Sequence, residues 1–315
     1  MARRQSGKSD AEGFGWKPFF SHLTTFVIVA LFAVLLVAGA FGLRPLKQRS
    51  AVHIPPVPPK ISFAWPRSVT ASGERSAQTW LPIANQEELI SLAIGELGEE
   101  PDPFSAEPLD RIGTTLEATG WFASRPTVLR ASGASIVVRG EWRIPAAVVR
   151  SGNRDYLVAW DGRLMPPIYR PGEASLRAIL SPACPPPARA GGARDFDTAW
   201  PGEDIAASLE LLALISNKQW AKQIASVDAS DYSEHSSLSL VTTEGTRIVW
   251  GGRPAKPRLG DVSTRQKLAN IGELVRQFGR ADAGYAKVDV SRDKLLFDIS
   301  ASAAAGTTAA AANAP

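Results

Sequence analysis

The run "LTTFVIVALFAVLLVAGAFGL" (Leu23–Leu43) holds 21 residues without a charge. Backbone polar groups in hydrocarbon must be satisfied within the segment, and about 20 apolar residues in a helix match the bilayer core. The run therefore predicts a transmembrane helix over 23–43 behind a cytoplasmic tail, 1–22. Ala38-Gly39-Ala40 has the small-residue character of a signal-peptidase site, so a removable signal peptide is the competing reading. The apolar stretch exceeds the roughly 7–15 residues of a signal-peptide core, which favours an uncleaved anchor. Arg3, Arg4, Lys8 and Lys17 precede the run, and Arg44, Lys47, Arg49 and Lys60 follow it. Positive charge thus leaves the orientation tied. The long downstream chain favours a single pass in the cell (inner) membrane, N-terminus cytoplasmic and the bulk extracytoplasmic.

Net charge is only +4 over 315 residues, and no basic block gathers it. That speaks against a dedicated nucleic-acid surface. A single cysteine, Cys184, excludes an internal disulfide; it lies between prolines in "SPACPPPA", in the manner of an unpaired loop thiol.

Downstream, "HIPPVPPKISFAWP" is proline-dense and reads as a semi-rigid spacer. "NQEELISLAIGEL" predicts a helix opening at Asn85 with Glu88 three residues on. A second helix, "PLDRIGTTLEATG", stops at Gly120. Strands follow over "TVLRA" and "SIVVRGEW", and another is expected earlier, around "TWLPI" (Thr79–Ile83). In "YLVAWDGRLMPP" an Asp161-Gly162 turn between apolar runs marks a hairpin, because that turn needs residues tolerant of positive φ. Amphipathic helices are expected in "EDIAASLELLALISNKQW" and "TRQKLANIGELVRQFG", the latter facing inward with Leu268, Ile271, Val275 and Phe278. Between them "SLSLVTTEGTRIVW" turns at Glu244-Gly245. "YAKVDV" and "KLLFDI" close the chain before an Ala-rich tail, 301–315, expected to be disordered. Strands and helices do not alternate, so the class is α+β.

Groups for chemistry are sparse. The histidines are His22, His53 and His235. His235 sits with Asp231 and Glu234 in "SDYSEHSS", a polar loop; triads assemble by geometry from separate elements. One histidine without a second His or Cys partner suits no usual zinc site. "GGARD" follows prolines and is no phosphate loop. No catalytic, cofactor-binding or metal residue is assigned, and no cofactor, nucleic acid or small-molecule substrate is expected. Trp142 and Trp160 are read as core.

The order of these parts resembles the FtsQ/DivIB family of bitopic bacterial cell-division proteins. Trp121-Phe122, Val128 with Arg130, Glu141 to Ala146 and Tyr156 to Gly162 match that family's motifs in order. So do "TTEGTRIVWGG", "KLANIGELV" and "YAKVDVS". "ASGAS", "DVS" and a long 166–200 loop depart from its pattern. The resemblance implies an α+β fold with a single N-terminal transmembrane helix, a small POTRA-like β-α-α-β-β domain, and a larger mixed-sheet β domain with two amphipathic helices. The corresponding segments are 1–22 tail, 23–43 span, 44–76 Pro-rich linker, 77–151 POTRA-like domain, 152–300 β domain and 301–315 tail. It further implies a non-enzymatic divisome scaffold that recruits other bitopic division proteins (FtsB/FtsL-like) and links septal wall synthesis to constriction.

If the closing hairpin ends the sheet, its outer strand offers backbone N–H and C=O groups to a partner strand. The candidate partner-binding residues are Tyr285, Val288, Val290, Leu295, Leu296 and Phe297. Two other readings compete: a POTRA-type component of protein export or outer-membrane assembly, and an anchored periplasmic hydrolase using His235.

Overall fold

The computed structural model describes residues 29–37, 60–69, 75–98, 105–131 and 135–298. The chain divides into two compact units, 1–60 with 132–134 and 61–131 with 135–315. In the first, residues 29–37 form a helix, α1. Among the described residues no helix is long and apolar enough to cross a membrane. A helix over 29–37 rises only about 14 Å, less than half of the roughly 30 Å hydrocarbon core. The expected transmembrane helix, and with it single-pass anchoring in the inner membrane, is thereby corrected. The flanks of the expected span, 23–28 and 38–43, the tails 1–22 and 301–315, and 44–59 lie outside the described residues.

The second unit is α+β with mixed sheets. Its first part runs β1 (Lys60–Phe63), a hairpin of β2 (Arg67–Val69) and β3 (Arg75–Thr79), α2 (Ile83–Gly95), α3 (Glu107–Ala118), β4 (Thr127–Arg130) and β5 (Ser135–Arg139). Three of these strands form a sheet in the order β1-β5-β4. The first strand is therefore "KISF", inside the stretch read as a spacer, and not "TWLPI". Its alternation explains why: Ile61 and Phe63 are buried, and Ser62 between them donates to the Ile136 carbonyl. α2 begins two residues before Asn85, with the Pro82 carbonyl accepting from Asn85 and Gln86. Leu89 and Ala93 of α2, and Ile112 and Leu116 of α3, fill the space against the sheet.

The remaining strands are β6 (Pro145–Ser151), β7 (Arg154–Ala159), β8 (Leu164–Tyr169), β9 (Ala178–Leu180), β10 (Ile224–Asp228), β11 (Leu238–Thr242), β12 (Arg247–Gly251), β13 (Lys287–Asp289) and β14 (Leu296–Asp298). They make one sheet in the order β14-β13-β12-β11-β10-β9-β6-β7-β8. The Asp161-Gly162 and Glu244-Gly245 turns join β7 to β8 and β11 to β12, with Gly162 at φ +77° and Gly245 at φ +82°.

Both faces of the β6–β7 region are buried, which is why these strands read as apolar runs and not as alternation. Ala147, Val149 and Val158 belong to one buried core with residues of α4 (Glu203–Ile215) and α6 (Thr264–Phe278). Val148, Leu157 and Met165 pack with the core of the first part. α4 is buried on most of its circumference. α6 is capped by Ser263, whose side chain accepts from the Gln266 amide, and ends at Gly279 in the left-handed region. Its inward face is Lys267, Ile271 and Leu274, flanked by Leu268 and Val275; Phe278, expected inside, is 53% exposed. Trp142 is half-buried between Phe122 and Trp65, whereas Trp160, also expected in the core, is exposed.

Candidate docking edge

β14 is the last strand of the nine-stranded sheet. β13 runs parallel to β12, pairing Ile248 with Val288, and β14 returns antiparallel with Val288 opposite Phe297 and Asp289 opposite Leu296. No described strand lies on the outer side of β14. All three of its residues are exposed, Leu296 at 58% and Phe297 at 40%.

The six residues expected at this edge divide by depth. Val288 and Val290 are wholly buried in the core under α6, out of reach of any partner's side chains. Their part is to anchor β13, and the Val290 amide adds a bond to the Val249 carbonyl (3.1 Å). Tyr285 and Leu295 are partly buried against the same core. Tyr285 places its ring 4.7 Å from that of Phe297, so the exposed aromatic is braced from inside. Leu296 and Phe297 are the two of the six that stand exposed on β14.

Two polar clusters hold this hairpin. The first is the 280–285 turn. Asp282, 2% exposed, accepts from Arg280 Nε and Nη2 (both 2.9 Å), from the Gly284 amide (2.9 Å) and from the Thr246 hydroxyl. Burial alone pushes the Asp282 carboxyl up, but these donors outweigh it and hold it at about 2. The Tyr285 amide donates to the Asp282 carbonyl (2.9 Å), which carries the turn's rigidity to the aromatic brace.

The second cluster lies at the other end of β13. Lys267, 1% exposed on α6, donates to Asp261 Oδ2 (2.8 Å) and sits 5.2 Å from the Trp250 ring centroid. Asp261 also accepts from the Gly252 amide (2.7 Å) and the Arg258 guanidinium (3.2 Å). Burial pushes the Lys267 ammonium down, opposed by Asp261. Burial likewise raises Asp261, but Lys267 and the Gly252 amide hold its carboxyl below the usual range. The Val262 amide beside this pair donates to the Ser291 carbonyl (2.8 Å), and Ser291 in turn donates to Asp289. A lysine at an apolar helix position, four residues before Ile271, was the available signal.

The competing catalytic cluster is not gathered. His235 ends a short helix, Tyr232–His235, with its ring exposed and Glu234 4.0 Å away; Asp231 reaches Arg247 instead, at 3.6 Å. Among the described residues no group of three His, Cys, Asp or Glu side chains is placed to hold a metal. No family model matches this chain, and no curated protein matches it.

Proposed function

We propose that this chain is a non-enzymatic docking scaffold of the bacterial division machinery, of FtsQ/DivIB type, which holds partner division proteins by strand addition at β14. One observation carries the reading: β14 ends the sheet with Leu296 and Phe297 outward, on a hairpin fixed by Asp282 and by the Lys267–Asp261 pair. An extended partner segment gains main-chain hydrogen bonds there, and its alternate side chains meet Leu296 on one face and Phe297 on the other. The motif order from Trp121 to the closing strands supports the division assignment.

Affinity capture of division proteins from the bacterium, with Leu296→Lys beside Ile168→Lys at the opposite margin, tests the docking. The first change is expected to release the partners and the second to retain them. A fluorescent fusion is expected to form a septal band. Normal septation in cells lacking the protein, or full partner retention by a folded Leu296→Lys variant, overturns the proposal.

A further inference from the structure

β9 is the shortest member at the middle of the sheet, three residues inserted between β6 and β10 and parallel to both. Beside β9 lies a hollow of about 580 Å³, lined by Val148, Leu176, Leu180 and the start of β10. That size is in the range of small-molecule sites, about 300–1,000 Å³.

Its charge is unbalanced. Three cations line it, Arg150, Arg177 and Lys222, against one carboxylate, Asp155. Asp155 is saturated: it accepts from Arg150 Nε (2.8 Å) and Nη2 (2.9 Å) and from the Gly172 amide (2.9 Å). Arg177 spends Nε on the Ile224 carbonyl (3.1 Å) and Nη2 on the Ala221 carbonyl (2.7 Å). These carbonyls orient the guanidinium without neutralising it. Among the described residues, neither Arg177 nor Lys222 forms an ion pair, and Nη1 of Arg150 and of Arg177 has no hydrogen-bond partner. Burial pushes the Arg177 guanidinium down, the mark of a cation partly withdrawn from water. Such a group beside apolar walls favours an anion that brings its own apolar body.

We propose that this hollow binds an aliphatic carboxylate, its chain lying on Leu176 and Leu180 and its head group meeting Arg177 and Lys222. A carboxylate suits the donors, because one oxygen can take the free Nη1 of Arg177 and the other the Lys222 ammonium.

Isothermal titration calorimetry of the full chain with decanoate, decanol and acetate tests this site, which is separate from β14. Decanoate is expected to bind about tenfold more tightly than either comparator, since one is without the charge and the other without the chain. Arg177→Gln is expected to weaken decanoate about tenfold. Because Arg177 also ties β10 to β9, the exposed Lys222→Gln serves as the variant that preserves the fold, with about a threefold loss. Decanol binding as tightly as decanoate, no binding of decanoate, or unchanged affinity in both variants overturns the proposal.

Discussion

β8 and β14 close the same sheet at opposite margins, and their sequences treat exposed backbone in opposite ways. β8 is "LMPPIY", with Pro166 and Pro167 adjacent. Its register against β7 shifts there: Tyr156 and Val158 have one residue between them, while their partners Ile168 and Leu164 have three. Successive N–H groups point to opposite sides of a strand, so two adjacent prolines remove one donor toward β7 and one toward solvent. The bulge absorbs the first loss; the second blunts the edge. The segment after β9, residues 181–200, then returns beside it. Arg163 pairs with Ala199, the Trp200 amide donates to the Gly162 carbonyl (2.8 Å), and Arg194 donates to the Pro166 carbonyl. Gly120, in the left-handed region, lets Phe196 of that loop approach where a Cβ would stand 2.6 Å from the ring. β14 has no proline and no described cover. A covered margin and one with no described cover on the same sheet are the contrast on which the proposed docking at β14 rests.

The largest effect is expected from charging the inner anchor of the β14 margin, set against an exposed residue of the β8 margin. Val288→Asp places a carboxylate where the native side chain is wholly buried. Loss of about 4 kcal/mol or more is expected, read as a lowered urea midpoint. Ile168→Asp at β8, where the native side chain is 37% exposed, is expected to cost under about 1 kcal/mol. Equal losses at the two sites break the comparison.

Next in size is Asp282→Asn. Asp282 is buried but Arg280 is 46% exposed, so the change weakens the buried ends of a hydrogen-bond network without stranding a cation away from water, at a cost of about 2 kcal/mol in chemical denaturation. Hydrogen exchange in β13 and β14 is expected to accelerate more than in β8. Uniform acceleration throughout the sheet contradicts a local role for the 280–285 turn.

Acid gives a comparable effect at the same carboxylate. Asp282 is held at about 2 in the folded chain against an ordinary 3.8, so the folded state favours its charged form. Its contribution, about 2 kcal/mol, is complete above roughly pH 4 and is lost as pH falls toward 2. In Asp282→Asn that part of the acid transition is expected to disappear. An unchanged acid slope in the variant places the titrating groups elsewhere.

The parts of this arrangement legible in the sequence are the local ones. Asp161-Gly162 and Glu244-Gly245 locate their hairpins because the turn chemistry is contained in two residues. α2, α3, α4 and α6 follow from apolar spacing, although the inward face of α6 is rotated because Lys267 finds Asp261 inside. β1 was obscured by surrounding prolines, and β9 has only three residues and becomes a strand through its neighbours. At the docking edge, alternation placed Leu296 and Phe297 on opposite faces, but burial of Val288 and Val290 depends on α6 lying over them. Asp282 and Thr246 are 36 residues apart, and no local pattern announces their contact. The apolar run at 23–43 shows the converse error: composition suggested length for a spanning helix, while the helix described there covers 29–37.

The smallest change in stability, and the sharpest test of the comparison, is expected from replacing both prolines of β8. Pro166→Thr with Pro167→Thr restores two N–H groups, one toward β7 and one toward solvent. Stability is expected to move by less than about 0.5 kcal/mol, because the bulge already accommodates the missing inward bond. What should change is association. With donors restored beside the exposed Ile168, β8 becomes a second usable edge, and sedimentation velocity is expected to show concentration-dependent dimers absent from the parent chain. Adding Leu296→Lys to this variant is expected to leave those dimers in place, since they form at the other margin. If the double replacement stays as the parent, then the 194–200 cover and not the prolines protects β8. If Leu296→Lys dissolves the dimers, the two margins are not independent and the contrast between them fails.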